Sequence, residues 1–465
     1  MVAVSAYADN ETLTAANSAG AISVAADGAS NVQVTGDGTE TVTVQSGETL
    51  TSNGGNAPAL TIDVDLATGG SGAQLDVNLV VDGNLDGTDD GASGAATGDG
   101  LLVQDSDTGT SAQTFKGNIT VNGNLTGSVT GLNVGVATEG DITIGSSSTV
   151  TATTTGVNIG GAQTGSFTNS GTIGGASTAT GLNLGAAVSG GVTNNSGATI
   201  QGTTAAITSS AANTITNAGT ITGNVSGAGA LTINNTGTIT GNIDGTGTNT
   251  ITNTGTITGD INGGTNTLTN NAGGVVSGAI IDVDGGQLVN AGTLTATGAL
   301  SAATIDNDGT LTAETTLAAG GLIDNSGTMT VTGAISGAAG VTNLGTFTAG
   351  SPLAAGGAIT NSGSMSVTGA VTTATTVTNT GSFSADALTA TGLLANGAAD
   401  DSIAPMTITN DLTSAGVTNY AAITVGGNLD AGAVALTNNA GGTMSYDHFW
   451  CLKRKTGGVP CQKHS

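Results

Sequence analysis

The chain has 465 residues, 80 of them Gly, with 5 Lys+Arg against 32 Asp+Glu and a formal net charge of -27. So few cations exclude a phosphate-binding surface, and with it nucleic acid as a partner. A composition rich in Gly, Thr, Asn and Val excludes a helical fold, and 37% hydrophobic residues argue against a fully solvated chain, because they prove to be ordered in sequence.

At the start, Ala6-Tyr7-Ala8 before Asp9-Asn10 has the small-x-small pattern of a signal-peptidase site. Residues 1–8 are therefore expected to be the remnant of an export signal, cut after Ala8. No apolar stretch is long enough to span a bilayer as a helix, so no transmembrane segment is expected. Residues 9–160 are expected to form an irregular N-terminal part of the fold. Val42-Thr43-Val44, Leu79-Val80-Val81, Ile119-Thr120-Val121 and Ile142-Thr143-Ile144 read as strands, separated by Gly and Asp. Gly83 to Gly100 reads as an extruded acidic loop. It overlaps the run Asp82-Gly83-Asn84-Leu85-Asp86-Gly87, which matches the opening D-x-N-x-D-G of a calcium loop. Oxygen ligands at alternate positions before a turn glycine suit a hard cation. Position 12 is Ser93 instead of the usual bidentate Glu, with Asp89 and Asp90 as substitutes. A solvated acidic loop is the competing reading, and no other cofactor is expected.

Residues 161–445 carry the regular repeat. An Asn-x-Gly or close variant recurs with Asn at 217, 235, 253, 271, 290, 307, 325, 343, 361 and 379, so the period is 18 with one 19 and one 17. Weaker copies stand at Asn169, Asn195 and Asn439. Apolar residues follow at one third of the period, from Ile305 through Leu311, Leu317, Ile323, Met329, Ile335 and Val341 to Phe383. Two residues before each of these, from Leu311 on, is a small residue, which faces the same way because alternate residues of a strand share a face. Leu288, Leu294 and Leu300 sit one residue out of phase, where the Asn spacing also shifts. Two residue classes thus register the same insertion and deletion. The pattern predicts an all-β fold: a single-stranded β-solenoid (β-helix) with about 18 residues per coil and three short strands per coil, handedness open. Aliphatics stack inward, Gly and Asn take the corners as residues tolerant of left-handed backbone, and Asn forms a ladder from coil to coil.

Thr-x-Thr recurs directly after the Asn-x-Gly corner, at Thr220/Thr222, Thr238/Thr240, Thr256/Thr258, Thr293/Thr295, Thr310/Thr312, Thr328/Thr330 and Thr346/Thr348, and becomes Ser364/Ser366 and Ser382/Ser384. The residue between points inward, so the hydroxyls form two outward rows resembling ice-binding faces; the plainer reading is that Thr is a good strand former. Residues 446–465 break the composition: four of the five basic residues, both His, both Cys (Cys451, Cys461) and the only Trp lie in the last twenty. They read as an atypical basic tail, out of frame or foreign to the fold. Before it, the chain has no His or Cys and only Lys116 as a base, so its Ser and Thr lack an activating partner and no enzyme is expected.

Runs such as Thr252-Asn253-Thr254-Gly255-Thr256-Ile257-Thr258-Gly259 resemble the repeats of bacterial autotransporter (type V secretion) passenger domains, over roughly residues 160–440. The resemblance implies a secreted or surface-displayed β-helix, an adhesin or display stalk held at the outer membrane by a C-terminal barrel. This sequence shows no such barrel, which would need further alternating strands with aromatic girdles. The implied partner is an unidentified surface ligand on a host or neighbouring cell. Self-association into a fibre or surface layer is the alternative from another class, and ice binding a third.

Overall fold

The structure, a computed structural model, describes residues 2–6, 11–14, 22–26, 32–35, 40–47, 49–51, 58–64, 77–88, 98–105, 113–399, 404–432 and 436–450. The described residues are all-β, with no helix, in short parallel strands. The chain divides into two units: Met1–Ile251 with Gly255–Gly259, and Thr252–Thr254 with Asp260–Ser465.

In the second unit each strand pairs in parallel with its equivalent one repeat later, and the aliphatics fall into three stacked columns. One runs Leu288, Ile305, Ile323, Val341, Ile359, Val377. Another runs Leu294, Leu311, Met329, Phe347, Met365, Phe383. The third runs Leu300, Leu317, Ile335, Leu353, Val371, Leu388. The six-residue beat visits the three columns in turn, and every member is at most 2% exposed. Each buried aliphatic side chain contributes about 1.5–3 kcal/mol of apolar burial. The interior therefore rests on many small equal terms.

Asn closes each repeat. Asn307, Asn325, Asn343 and Asn361 are each 0% exposed, two residues beyond a column aliphatic and on the same inward face. The Asn325 Nδ2 donates to Asn343 Oδ1 at 2.7 Å, to Thr346 O at 3.0 Å and to Gly327 O at 3.3 Å. Its Oδ1 accepts from Asn307 Nδ2 at 2.7 Å. The two backbone carbonyls fix which end of each amide is nitrogen, so the amides align head to tail. The Asn backbone takes part too: the amides of Ser326 and Gly327 both donate to Asn307 O at 2.9 Å.

The expected ladder is present, with different members at three points. Asn270, Asn194 and Asn438 carry it, not Asn271, Asn195 and Asn439. Asn396 and Asn419 extend it past Asn379. The longer repeat therefore lies between Asn270 and Asn290, where the register also slips between Val283 and Gln287. Gly197, Gly273 and Gly441, the glycines after Asn195, Asn271 and Asn439, take the expected left-handed backbone with φ of 82°, 85° and 91°, whereas elsewhere the glycine of Asn-x-Gly is there for a different reason. Gly327, Gly345 and Gly363 have no positive φ. A Cβ on Gly345 would instead stand 2.0 Å from Gly327 O, because the preceding repeat passes too close at this corner for a side chain.

The first unit follows the same stacking with unequal repeats. Val42, Leu79, Ile119, Ile142, Phe167, Val192 and Ile215 form one column, although its first two steps span 37 and 40 residues and the later ones 23 to 25. All four strands expected in this part are present and stack on one another in this column. Between Asn133 and Thr208 the repeat is 25 residues, carried by hydrogen bonds of that separation. Among the described residues of this part the strands pair in register, and the lengths of chain between them differ.

Three segments at expected boundaries are partly described. Val2–Ala6, placed in a signal remnant, pairs as a strand with Ile22–Ala26; the cleavage pattern beyond Ala6 lies outside the described residues. The expected loop from Gly83 to Gly100 contains a strand, Asn84–Gly87, and its centre, residues 89–97, lies outside them. Thr443–Trp450 is a strand in parallel register with Ala422–Asp430, so the fold continues at least five residues past the composition break at Tyr446. Alternation explains it: Met444 and Tyr446 oppose Ile423 and Val425, and Phe449 opposes Leu429. Residues 451–465, with both Cys, are outside the described residues.

Candidate functional site

The surface is built of side chains that hydrogen-bond the next repeat. Asn118 Oδ1 accepts from the Asp141 amide at 2.8 Å, and Asp141 Oδ1 accepts from the amide and hydroxyl of Ser166 at 2.7 and 2.8 Å. Asp260 Oδ1 takes two amides, of Ala279 and Ile280, at 2.7 and 2.9 Å. An acceptor-only carboxylate or an Asn oxygen suits this work, because the exposed end of each parallel strand presents amides without a ladder partner.

The candidate calcium residues belong to this system. Asp82 Oδ1 accepts from Asn122 Nδ2 at 2.8 Å, Asn84 Oδ1 from the Asn124 amide at 3.0 Å, and Asp86 Oδ1 from the Thr88 amide and hydroxyl at 3.0 and 2.6 Å. Asn84 and Asp86 lie on a strand that pairs with Thr49–Thr51 and Leu125–Gly127. Each of these oxygens thus accepts from a protein donor. Asp89, Asp90 and Ser93 lie outside the described residues. Among the described residues no three His, Cys, Asp or Glu side chains come together in a metal-binding group.

The Thr rows are present and in register. In the first unit Thr220, Thr238 and Thr256 stack, with Thr222, Thr240 and Thr258 beside them. In the second, Thr293, Thr310 and Thr328 stack beside Thr295, Thr312 and Thr330, continuing through Thr346/Thr348 to Ser364/Ser366 and Ser382/Ser384. Thr149, Thr172 and Thr199 extend the first row toward the N-terminus, which the sequence reading missed. The face is not uniform. Thr293, Thr310 and Thr328 are exposed while Thr295, Thr312 and Thr330 are half-buried, and the order reverses at Thr238/Thr240 and Thr256/Thr258.

A second, outward ladder went unread. Thr208 Oγ donates to Asn183 Oδ1, Asn183 to Asn158, Asn158 to Asn133, and Asn133 Nδ2 to Asp99 Oδ2, at 2.6–2.8 Å. Its donors point toward the N-terminus, opposite to the inner ladder. The signal was Thr-Gly-Leu/Val-Asn at Thr130–Asn133, Thr155–Asn158 and Thr180–Asn183. Burial raises the Asp99 carboxyl above its usual range, and the Asn133 and Thr130 hydrogen bonds offset part of that rise. Next to its C-terminal end a shallow groove of about 270 Å³ is lined by Thr208, Ser226, Asp244 and Thr246 among others. Asp141 is held below the usual range by the backbone amide of Ser166 and then by its hydroxyl. Asp306 is raised by burial first and then by the charges of Asp308 and Asp324.

Comparison with known protein families, with curated proteins and with solved structures finds no match.

Proposed function

We propose that each unit is a β-solenoid, its backbone winding with three short strands per coil, and that the chain is a non-enzymatic surface-displayed or secreted passenger, an adhesin or display stalk. The observation that carries this reading is the in-register stacking of the Asn ladder and the three aliphatic columns. Such an interior needs no disulfide, metal or cofactor, and it leaves every outward position free to vary. The absence of His and Cys before the tail and the use of acids as backbone acceptors both suit a scaffold more than a catalyst. The autotransporter resemblance gives the export route.

Two experiments test the halves of this reading. Labelled full-length protein is added to candidate host and bacterial cells: saturable binding supports the adhesin, while no binding together with long filaments in electron micrographs favours a self-assembling fibre. The coding DNA around this segment is read in all frames, where an upstream export signal and a downstream membrane barrel are expected. One observation favours ice binding as a second reading, the register of the Thr rows. Absence of ice shaping and thermal hysteresis would remove it.

A further inference from the structure

The described residues contain three Asn-Gly dipeptides, and the fold treats them unequally. At Asn396–Gly397 the carboxamide is 0% exposed and donates to Asn419 Oδ1 at 2.9 Å and Ala422 O at 3.3 Å, while the Gly397 amide donates to Asn379 O at 2.7 Å. At Asn122–Gly123 the carboxamide donates to Asp82 Oδ1 at 2.8 Å and the Gly123 amide to Val81 O at 2.9 Å. At Asn262–Gly263 neither the carboxamide nor the glycine amide has a partner among the described residues. This pair closes the short strand Ile261–Asn262 and opens an exposed turn in which Gly263 and Gly264 have φ of 74° and 62°. Gly263 carries no Cβ to shield the Asn262 carbonyl side of its amide, and the two glycines give the turn the torsional freedom that ring closure needs.

We infer that Asn262 is a site of spontaneous covalent modification, converting to aspartate and isoaspartate. The Gly263 backbone nitrogen attacks Asn262 Cγ. The Cγ–Nδ2 bond breaks, and the leaving nitrogen departs as ammonia with the proton lost by the Gly263 amide. Water then opens the five-membered succinimide at one of its two carbonyls, giving aspartate or isoaspartate, each with one more negative charge than the original Asn. The isoaspartate product routes the backbone through the former side chain and adds a methylene to it. It does so one residue after Ile261, which stacks on Ile281 in the third aliphatic column. The modification therefore weakens one defined repeat and leaves the others intact.

Full-length protein is incubated at 37 °C and mildly alkaline pH, then digested with a low-specificity protease, and the three peptides are followed by electron-based fragmentation, which distinguishes isoaspartate from aspartate. Asn262 is expected to convert first, with Asn122 and Asn396 about tenfold or more slower, the rate equivalent of one or two hydrogen bonds that must open before attack. A parallel incubation in denaturant is expected to bring the three rates together, because the difference comes from the fold. Folded protein in which Asn122 or Asn396 converts as fast as Asn262 would overturn the inference, and so would an order that survives denaturant.

Discussion

Replacing Asn325 by Asp probes the inner ladder with a single atom. The Asn325 Nδ2 carries two hydrogens and faces three oxygens, Asn343 Oδ1, Thr346 O and Gly327 O, all within 3.3 Å. A protonated Asp presents one hydrogen to the same oxygens, so at acid pH N325D loses one donor in a site that is 0% exposed. That costs about 1–3 kcal/mol. An ionised Asp would put a negative oxygen against three others, which the buried site disfavours, so the folded-state pKa is raised. The unfolded chain ionises near its ordinary value of about 3.9, and each further pH unit then costs folding about 1.4 kcal/mol until the folded pKa is passed. If the acid stays neutral to pH 7, the pH-dependent part reaches about 4 kcal/mol. The variant is thus closest to the parent below the unfolded pKa and loses stability as pH rises through the folded one. Because repeats open locally, the readout is hydrogen exchange at the Ser326, Gly327, Leu344 and Gly345 amides, which donate to the Asn307 and Asn325 carbonyls. A deficit equal at pH 3 and pH 7, or none at pH 7, would refute the argument that this nitrogen donates to a dry, acceptor-only pocket.

Other perturbations give different signs. Gly345→Ala, which in an ordinary strand would stabilise slightly, is expected to destabilise its repeat, because the new Cβ meets Gly327 O at 2.0 Å and the backbone must shift; thermal melts of G345A against the parent decide it. Ile323→Ala removes a 0% exposed member between Ile305 and Val341 and is expected to cost about 2–5 kcal/mol by denaturant unfolding. Asp99 and Asp141 should pull the pH profile in opposite directions. The raised Asp99 favours the fold below its unfolded pKa and withdraws that contribution as pH rises through the folded pKa; the lowered Asp141 contributes above its unfolded pKa and loses it as pH falls through the folded one. Stability–pH curves of Asp99→Asn and Asp141→Asn are expected to lack the respective slopes.

The repeats were legible where one residue had one role. Ile323, Val341 and Ile359 keep a fixed distance because each repeat there has the same length, so the columns could be read from spacing. Adjacent Asn pairs defeated spacing, which cannot tell Asn270 from Asn271. Strand alternation can: the ladder Asn stands two residues after a stacked aliphatic, as Asn270 after Leu268, Asn194 after Val192 and Asn438 after Leu436. The early repeats were obscure because their register is kept by strands such as Leu79–Val81 and Ile119–Val121 while the turns between them vary in length. The role of Gly345 was illegible in principle, since close approach between repeats leaves no trace in the local pattern.

The most direct measurement is a chemical ruler on the second unit. With Cys451 and Cys461 replaced by Ser, cysteines are introduced at Thr328 and Thr346, exposed and in register, and offered a thiol reagent with a reach of about one strand spacing, ~5 Å. The account predicts efficient bridging of this pair. It predicts little for Thr328 with Ser364, two strands away at about 10 Å, and little for Thr328 with Ser336, which is nearer in sequence but belongs to a different column. Equal bridging of all three pairs, or preferred bridging of Thr328 with Ser336, would contradict the stacked, in-register arrangement.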